Sequence, residues 1–441
     1  MYSKNNVAPT PPMGWNSYDY YNTMVTESDV RANAEFMATH LKQFGWEYIV
    51  VDIQWSDPNA GSLVPAVQYV PFTHFCLDEF SRQIPAQNRF PSSANGKGFA
   101  PLAEYIHSLG LKFGIHIMRG IPRIAAHTHM KLLGTTATAD QIANPFSISK
   151  WNGDMYGVDA TKPGAREYYE SIFALYAEWG VDFVKVDDIC NTNLYEHDPY
   201  SGEKEIELIA HAIETCGRPM VLSLSPGPAV IEKAWHMERY ANMWRITDDF
   251  WDKWELLKAM FERCEVWQKH VGGGNWPDCD MLPLGKLGKG FGAERSTNFT
   301  PDEQMTMLTL WCIFRSPLMI GAELTKLDSE TLSLLTNSEV LALEKASHGA
   351  RQIMRDQDQC IWQSFGPGCP AHGQDIFLAL FNTSDNKADI TVPLSAVEGL
   401  HLDKTYQVRN LWLQTDEFPL QGNAVLCKTV PAHGAVLLKL R

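Results

Sequence analysis

What most constrains this chain is a repeated alternation: a short apolar run with strand character, then a stretch with apolar residues at helical spacing. The clearest runs are residues 48–55 (YIVVDIQW), 111–118 (LKFGIHIM), 181–188 (VDFVKVDD), 219–225 (PMVLSLS) and 243–250 (MWRITDDF), with weaker ones at 13–18 and 316–321. Between them, Val30, Ala34, Met37 and Leu41 share one helical face, with Ser28 as the expected cap and Gly45 as the stop. Tyr169, Ile172, Leu175 and Tyr176 do the same over residues 162–180, where Gly180 ends the helix just before the next run. Strands separated by helices pair in parallel. Seven or eight such units in about 340 residues predict a (β/α)8 barrel. A doubly wound sheet is the alternative, and the absence of GxGxxG after the first strand speaks against its dinucleotide-binding form. Residues 56–99, long, aromatic and Pro-containing, read as an insertion over the barrel mouth.

The pattern changes near residue 345. Short alternating runs at 376–381, 388–392, 405–410 and 435–440, separated by turn clusters at 366–373 and 382–386, predict an antiparallel β-sandwich. The expected organisation is therefore a barrel over residues 1–345 and a sandwich domain over 346–441.

Charge narrows the partners. With 52 acidic residues against 37 Lys+Arg, the net charge of −15 disfavours both nucleic acid and an anionic membrane surface. No apolar stretch approaches the roughly 20 residues that span a bilayer. The segment MYSKNNVAPTPPMGW lacks the apolar core of a secretory signal, so a cytoplasmic location is expected. Nine cysteines with no CxxC pair predict free, mostly buried thiols and neither a zinc site nor a redox motif.

Two predicted strand ends concentrate charge: Lys185-Val186-Asp187-Asp188 and Arg245-Ile246-Thr247-Asp248-Asp249. At the C-terminal end of a barrel strand such residues face the active site. Period-2 alternation puts Lys185 with Asp187 on one face, and Arg245 with Thr247 and Asp249 on another. Two carboxylates on separate strands facing one cavity suit glycoside hydrolysis, one attacking the anomeric carbon and one protonating the leaving oxygen. The same spacing equally fits salt-bridged strand ends with no chemistry. Neither strand end carries a His, which argues against a transition-metal set, and no metal is expected. Aromatic residues make up 11% of the chain, and sugar rings stack on Trp and Tyr. Trp15, Tyr18, Trp55, Trp244 and Trp276 lie near predicted strand ends and are candidate platforms, although each alone also fits a core position. His116, His127 and His129 are candidates for polar groups lining the cleft.

Met13-Gly14-Trp15-Asn16-Ser17-Tyr18, Val51-Asp52-Ile53-Gln54-Trp55, Lys185-Val186-Asp187, Trp244-Arg245 with Asp249, Trp276-Pro277-Asp278-Cys279-Asp280-Met281 and Ser316-Pro317-Leu318-Met319-Ile320-Gly321 occur in this order. Together they resemble the α-galactosidase family, glycoside hydrolase family 27, over essentially the whole chain. The resemblance implies a barrel with a C-terminal β-sandwich, no cofactor, a small glycoside as substrate, a possible homo-oligomer and retaining double displacement. It makes Asp187 the nucleophile and Asp249 the general acid/base, with Lys185, Arg245 and Asp52 contacting sugar hydroxyls, Asp52 at the 4-hydroxyl. The acid role asks for a raised Asp249 pKa, which burial beside Trp244 and repulsion from Asp187 would supply.

Departures from the family pattern bear on substrate. Family α-galactosidases carry a second Asp, for the 6-hydroxyl, where this chain has Ile53. Burying that hydroxyl without a partner costs roughly 1–3 kcal/mol, whereas a β-L-arabinopyranosyl unit, galactose-configured without C6, packs its ring edge on Ile53. Members similar in having this activity carry Ile there. The alternative is that another group takes the 6-hydroxyl, leaving an α-galactosidase. Ser225 stands where α-galactosidases place a Glu, as in the family's α-N-acetylgalactosaminidases, which keeps the aminosugar as a third substrate. A non-catalytic sugar-binding protein is the rival from another class. The family's disulfide positions are altered, with Gln54 at a usual Cys position and Cys190 shifted by one.

Overall fold

The structure, a computed structural model, describes residues 3–61, 69, 72–192, 194–195, 197–367 and 374–441. Eight parallel strands make the barrel: β1 (Met13–Asn16), β2 (Tyr48–Val51), β3 (Lys112–Met118), β4 (Phe183–Asp187), β5 (Val221–Leu224), β6 (Met243–Arg245), β7 (Trp276–Asp278) and β8 (Leu318–Ile320). Each neighbours the next in chain order, and β8 pairs with β1. Closure falls just past β7, where Leu282 bridges Ile320 of β8 in parallel. The Leu282 N–H donates to the Met319 carbonyl at 2.8 Å, and its own carbonyl accepts from the Gly321 N–H at 3.0 Å. Both weak strand candidates, at 13–18 and 316–321, are strands of the barrel, β1 and β8, and the seam lies between β7 and β8.

Tyr48-Ile49-Val50-Val51 is buried throughout, as expected for a strand covered on both faces. β1 approaches it closely because Gly14 has no side chain: a Cβ there would fall 2.4 Å from the Tyr48 carbonyl oxygen. The helix after β1, Glu27–Phe36, begins two residues earlier than Ser28 implied. Thr26 caps it, in a capping box with Asp29, and Ser28 sits in the first turn with its Oγ 2.9 Å from Thr26 Oγ1. Val30, Ala34, Met37 and Leu41 are all fully buried.

Two excursions build the mouth. In the first, after β2, Arg89 ties the chain down by donating to the carbonyls of Thr23, Val25, Gln54 and Asp57. The second follows β3 as a three-stranded antiparallel sheet of Ile121–Pro122, Met155–Val158 and Ala143–Ile148, which the sequence pattern did not separate from the barrel.

Helix Ser338–Ala346 leads into a six-stranded antiparallel sheet that begins with His348–Arg355. Its central strand, Ile376–Asn382, is buried on both faces, with two different neighbours. Ile376, Leu378 and Leu380 enter the sandwich core with Ile390, Val392 and Leu438. Phe377, Ala379 and Phe381 instead join the core shared with the barrel helices. The barrel contributes helix Pro301–Phe314, with Trp311 and Phe314 buried, and Thr309 Oγ1 accepts from Trp412 Nε1 at 2.8 Å. The predicted runs at 376–381, 388–392 and 435–440 are strands, and 405–410 is split into two short ones. Of the predicted turn cluster 366–373, residues 368–373 lie outside the described residues. Among the described residues no helix is long and apolar enough to cross a membrane.

Candidate active site

The C-terminal ends of the strands open into a cavity of about 550 Å³ whose wall includes Asp52, Ile53, Lys185, Asp187, Arg245 and Asp249. Asp187 ends β4, and parallel pairing sets His116 of β3 beside Lys185 of β4. From there His116 Nε2 lies 3.0 Å from Asp187 Oδ2, while the Asp188 N–H donates to Oδ1 at 3.2 Å. Burial pushes the Asp187 carboxyl up, but the His116 hydrogen bond and the charges of Lys185 and Arg245 overcome it and hold the group well below the usual carboxylate range. Asp187 is therefore ionised at any working pH.

Asp52 lies one residue past β2. Its Oδ2 accepts from Asn16 Nδ2 at 2.6 Å and Lys185 Nζ at 3.1 Å, and its Oδ1 accepts from the Ile53 N–H at 2.8 Å. Burial opposes ionisation, yet Lys185, His116 and these donors leave its pKa below the ordinary value. The Lys185 ammonium shows the reciprocal balance: burial lowers its pKa, and Asp52 and Asp187 more than restore it. Two carboxylates and one ammonium thus hold a fixed, charged floor.

Arg245 organises the other wall. Its Nη2 reaches Asp249 Oδ1 at 3.1 Å, and its Nη1 reaches Asp280 Oδ1 at 3.0 Å. The alternation expected for this stretch does not hold, because β6 stops at Arg245. Beyond it the backbone turns, so Thr247 is buried away from the cavity while Asp248, Asp249 and Phe250 all line it. Desolvation of Asp249 by Trp244 is also corrected. Trp244 is fully buried against Trp267, 6.0 Å between ring centres, while the Asp249 side chain is 60% exposed.

The aromatic platforms differ from expectation. Among the five candidates only Tyr18 lines the cavity. Trp15, Trp55, Trp244 and Trp276 are buried in the core, and three of them donate their indole N–H to backbone carbonyls, at Ala322, His116 and Ala8 respectively for Trp15, Trp55 and Trp276. Their motifs mark the barrel's wall, not its ligand. The mouth is instead lined by Tyr69, Trp151 and Trp251. Tyr69 meets Tyr18 through their hydroxyls at 3.2 Å and packs edge-on to Trp151. Both Tyr69 and Trp151 sit on the excursions, where no strand or helix period marks them.

Ser225 and His116 are also reassigned. Ser225 is buried and does not line the cavity, whereas the next residue, Pro226, does; the Ser225 carbonyl accepts from the Ile189 and Cys190 N–H groups. His116 does not line the cavity and acts on it through Asp187. His127 Nε2 lies 3.1 Å from the Tyr156 hydroxyl, and His129 pairs with Asp140; neither lines the cavity. Two acids that the strand-end pattern missed do line it, Asp19 and Asp280. Asp19 directly follows one quoted motif and Asp280 lies inside another, and that was the available signal.

The eight described cysteines are free. Gln54 donates to Asp154 Oδ2 at 3.2 Å, and Cys190 is buried with its Sγ 3.8 Å from Met237 Sδ. Among the described residues one group, Glu203, Glu207 and His236, could gather three ligand atoms within 4.8 Å. Lys233 and Lys204 already pair with its two carboxylates.

A closed (β/α)8 barrel with carboxylates and cations converging on an aromatic-rimmed cavity, and a β-sandwich behind it, is the architecture of an O-glycoside hydrolase. Residues 157–346 match the family model for alpha galactosidase A, and residues 368–440 match that for the alpha galactosidase C-terminal beta sandwich domain. A GH27 β-L-arabinopyranosidase from Geobacillus stearothermophilus is similar at 52% identity and a TM-score of 0.93, covering 99% of this chain and 97% of that one. A Bacillus halodurans structure, described as a candidate α-N-acetylgalactosaminidase, is 50% identical with a TM-score of 0.86 over 98% of this chain and 97% of that one. An α-galactosidase of Coffea arabica is 26% identical over 99% of this chain and 95% of its own length. The chain belongs to the α-galactosidase family, glycoside hydrolase family 27.

Proposed function

We propose that the enzyme is a retaining exo-glycosidase whose preferred substrate is a β-L-arabinopyranoside. The observation that carries the substrate choice is Ile53. It is 3% exposed, lines the cavity beside Asp52, and packs with Met118 and Met155 in a small apolar cluster that Tyr18 and Tyr69 flank. A hydroxymethyl group directed there meets methyl and thioether surface, so its hydroxyl loses water without gaining a partner. A pentopyranose presents only its C5 methylene, which that surface accommodates. The Geobacillus arabinopyranosidase similarity supports the same choice.

In this mechanism Asp187, kept ionised by His116, Lys185 and Arg245, attacks C1 and forms a glycosyl ester. Asp249 gives its proton to the departing oxygen, then takes one from the water that cleaves the ester; the anomeric configuration is retained. Lys185 and Asp52 receive the sugar hydroxyls. The aminosugar reading retains the similarity to the Bacillus halodurans structure, but the Ser225 side of its argument is weakened because Ser225 is buried and does not line the cavity.

A panel of nitrophenyl glycosides tests the choice. The β-L-arabinopyranoside should exceed the α-D-galactopyranoside and the N-acetylgalactosaminide in kcat/KM. Ile53→Asp should move the arabinoside-to-galactoside ratio toward galactoside by about 10–100-fold, the scale of one buried hydrogen-bonding group. Equal or faster turnover of the galactoside by the unmodified enzyme would overturn the choice.

A further inference from the structure

One carboxyl in the cavity has no part in the chemistry described so far. Asp19, the third residue beyond β1, lines the same cavity as Asp52, Lys185 and Asp187, yet is only 2% exposed. Its Oδ2 is fully buried and accepts no hydrogen bond from any described residue. The acids around it are all engaged: Asp52 by Asn16 and Lys185, Asp187 by His116, and Asp249 and Asp280 by Arg245. Nor is its place accidental. The carboxyl rests on the Cα of Gly321, where a Cβ would come within 2.0 Å of Oδ2, so the barrel seam makes room for it. The backbone is pinned as well, with the Gly288 N–H donating to the Asp19 carbonyl at 2.9 Å.

We propose that Asp19 is a further glycone-binding residue, its carboxyl taking as hydrogen-bond partner a ring hydroxyl on the C3–C4 side of the sugar. The inference rests on the glycosidase reading of this cavity. A buried polar atom without a partner is rare in native structures, and the carboxyl that carries this one lines the ligand cavity, where a sugar hydroxyl can reach it. Position selects the hydroxyl. The paired strands β8 and β1 stand across the barrel from β4, which carries Asp187. With C1 at Asp187, the ring atoms reaching toward β8 and β1 are those remote from C1. Charge selects the form of the group. Burial, then Asp280, Asp249 and Asp52, push the Asp19 pKa well above the carboxylate range against the pull of Lys185. A neutral acid both donates to and accepts from a hydroxyl, which sets it apart from the ionised Asp52.

The test compares wild type, Asp19→Ala and Asp19→Asn on nitrophenyl β-L-arabinopyranoside and its 2-, 3- and 4-deoxy analogues, with Tm measured for each protein. Asp19→Ala should lower kcat/KM about 10–100-fold on the parent, and by less than about threefold on the 3- or the 4-deoxy analogue, whose partner hydroxyl is already gone. Asp19→Asn, an amide that also donates and accepts, should stay within about fivefold of wild type. An alanine variant within twofold of wild type on the parent would overturn the assignment, as would a loss of equal size on all three deoxy analogues, which marks a structural residue. If wild type hydrolyses none of these glycosides, the functional reading fails, and calorimetric titration of L-arabinose then judges Asp19 by itself. Weaker binding to the alanine variant than to wild type supports the contact. Equal binding, or none to wild type, refutes it.

Discussion

The two walls of the cavity are built on opposite plans. On the β2–β4 side, Asp52, Lys185 and Asp187 sit on or within one residue of a strand; the two carboxylates are buried and held by Asn16 and His116, and Lys185, partly buried, pairs with Asp52. On the β6 side, Asp249 lies four residues past the strand end, its side chain is 60% exposed, and its carboxylate pairs with Arg245. In the proposed mechanism Asp187 is the nucleophile and Asp249 the acid/base. A nucleophile must be ionised and aimed before substrate arrives, and a rigid strand end with matched charge does this at low reorganisation cost. An acid/base must trade a proton with a leaving group and then with water, so it belongs where both have access. In this pocket the leaving group itself would cover Asp249.

That contrast can be broken by mutation. Asp187→Ala should carry the largest effect, a loss in kcat of about 10⁴-fold or more for any leaving group, since no covalent step remains. Product configuration after azide rescue checks it: an inverted glycosyl azide is expected, and a retained one would reassign the nucleophile. Asp249→Ala should cost about 10²–10⁴-fold on a poor leaving group and far less on dinitrophenolate, which departs without protonation. Equal losses on both leaving groups would remove Asp249 from the acid role.

The smallest expected effect concerns the acid beneath Arg245. Burial and the neighbouring Asp280 push Asp278 up to about 7. Its folded value exceeds the unfolded one, so the folded state favours the acid form. The stability it contributes is complete below about pH 4, the unfolded carboxylate value, and is lost as pH rises through the folded value of about 7. Asp278→Asn should therefore flatten the fall in Tm between pH 5 and pH 8 by about 2 °C or more. An unchanged slope would mean that Asp278 titrates near the ordinary value.

Local periodicity made the barrel legible because a strand buried between helices reads as an apolar run, and a helix on its rim reads as an apolar face. β1 and β8 were visible only as weak runs, and β7, on the other side of the seam, was not among the predicted runs. The four core tryptophans were legible as aromatic residues near predicted strand ends, each by itself more often core than platform: a large ring there satisfies either role until its neighbours are known. Tyr69 and Trp151 left no periodic trace because excursions have no repeat to betray which side faces inward.

Sequence by itself determined the class of fold, the presence of a cation and a carboxylate together at the ends of β4 and β6, and the apolar residue that stands at Ile53. These follow from residue type and short-range spacing, which the chain carries explicitly. Only the tertiary structure decided which aromatics meet the cavity, that Asp249 lies beyond its strand, and that Asp19 faces the same space as Asp52 and Asp187. Each of these depends on groups far apart in sequence, brought together by closing the barrel seam, and no local pattern records such a meeting.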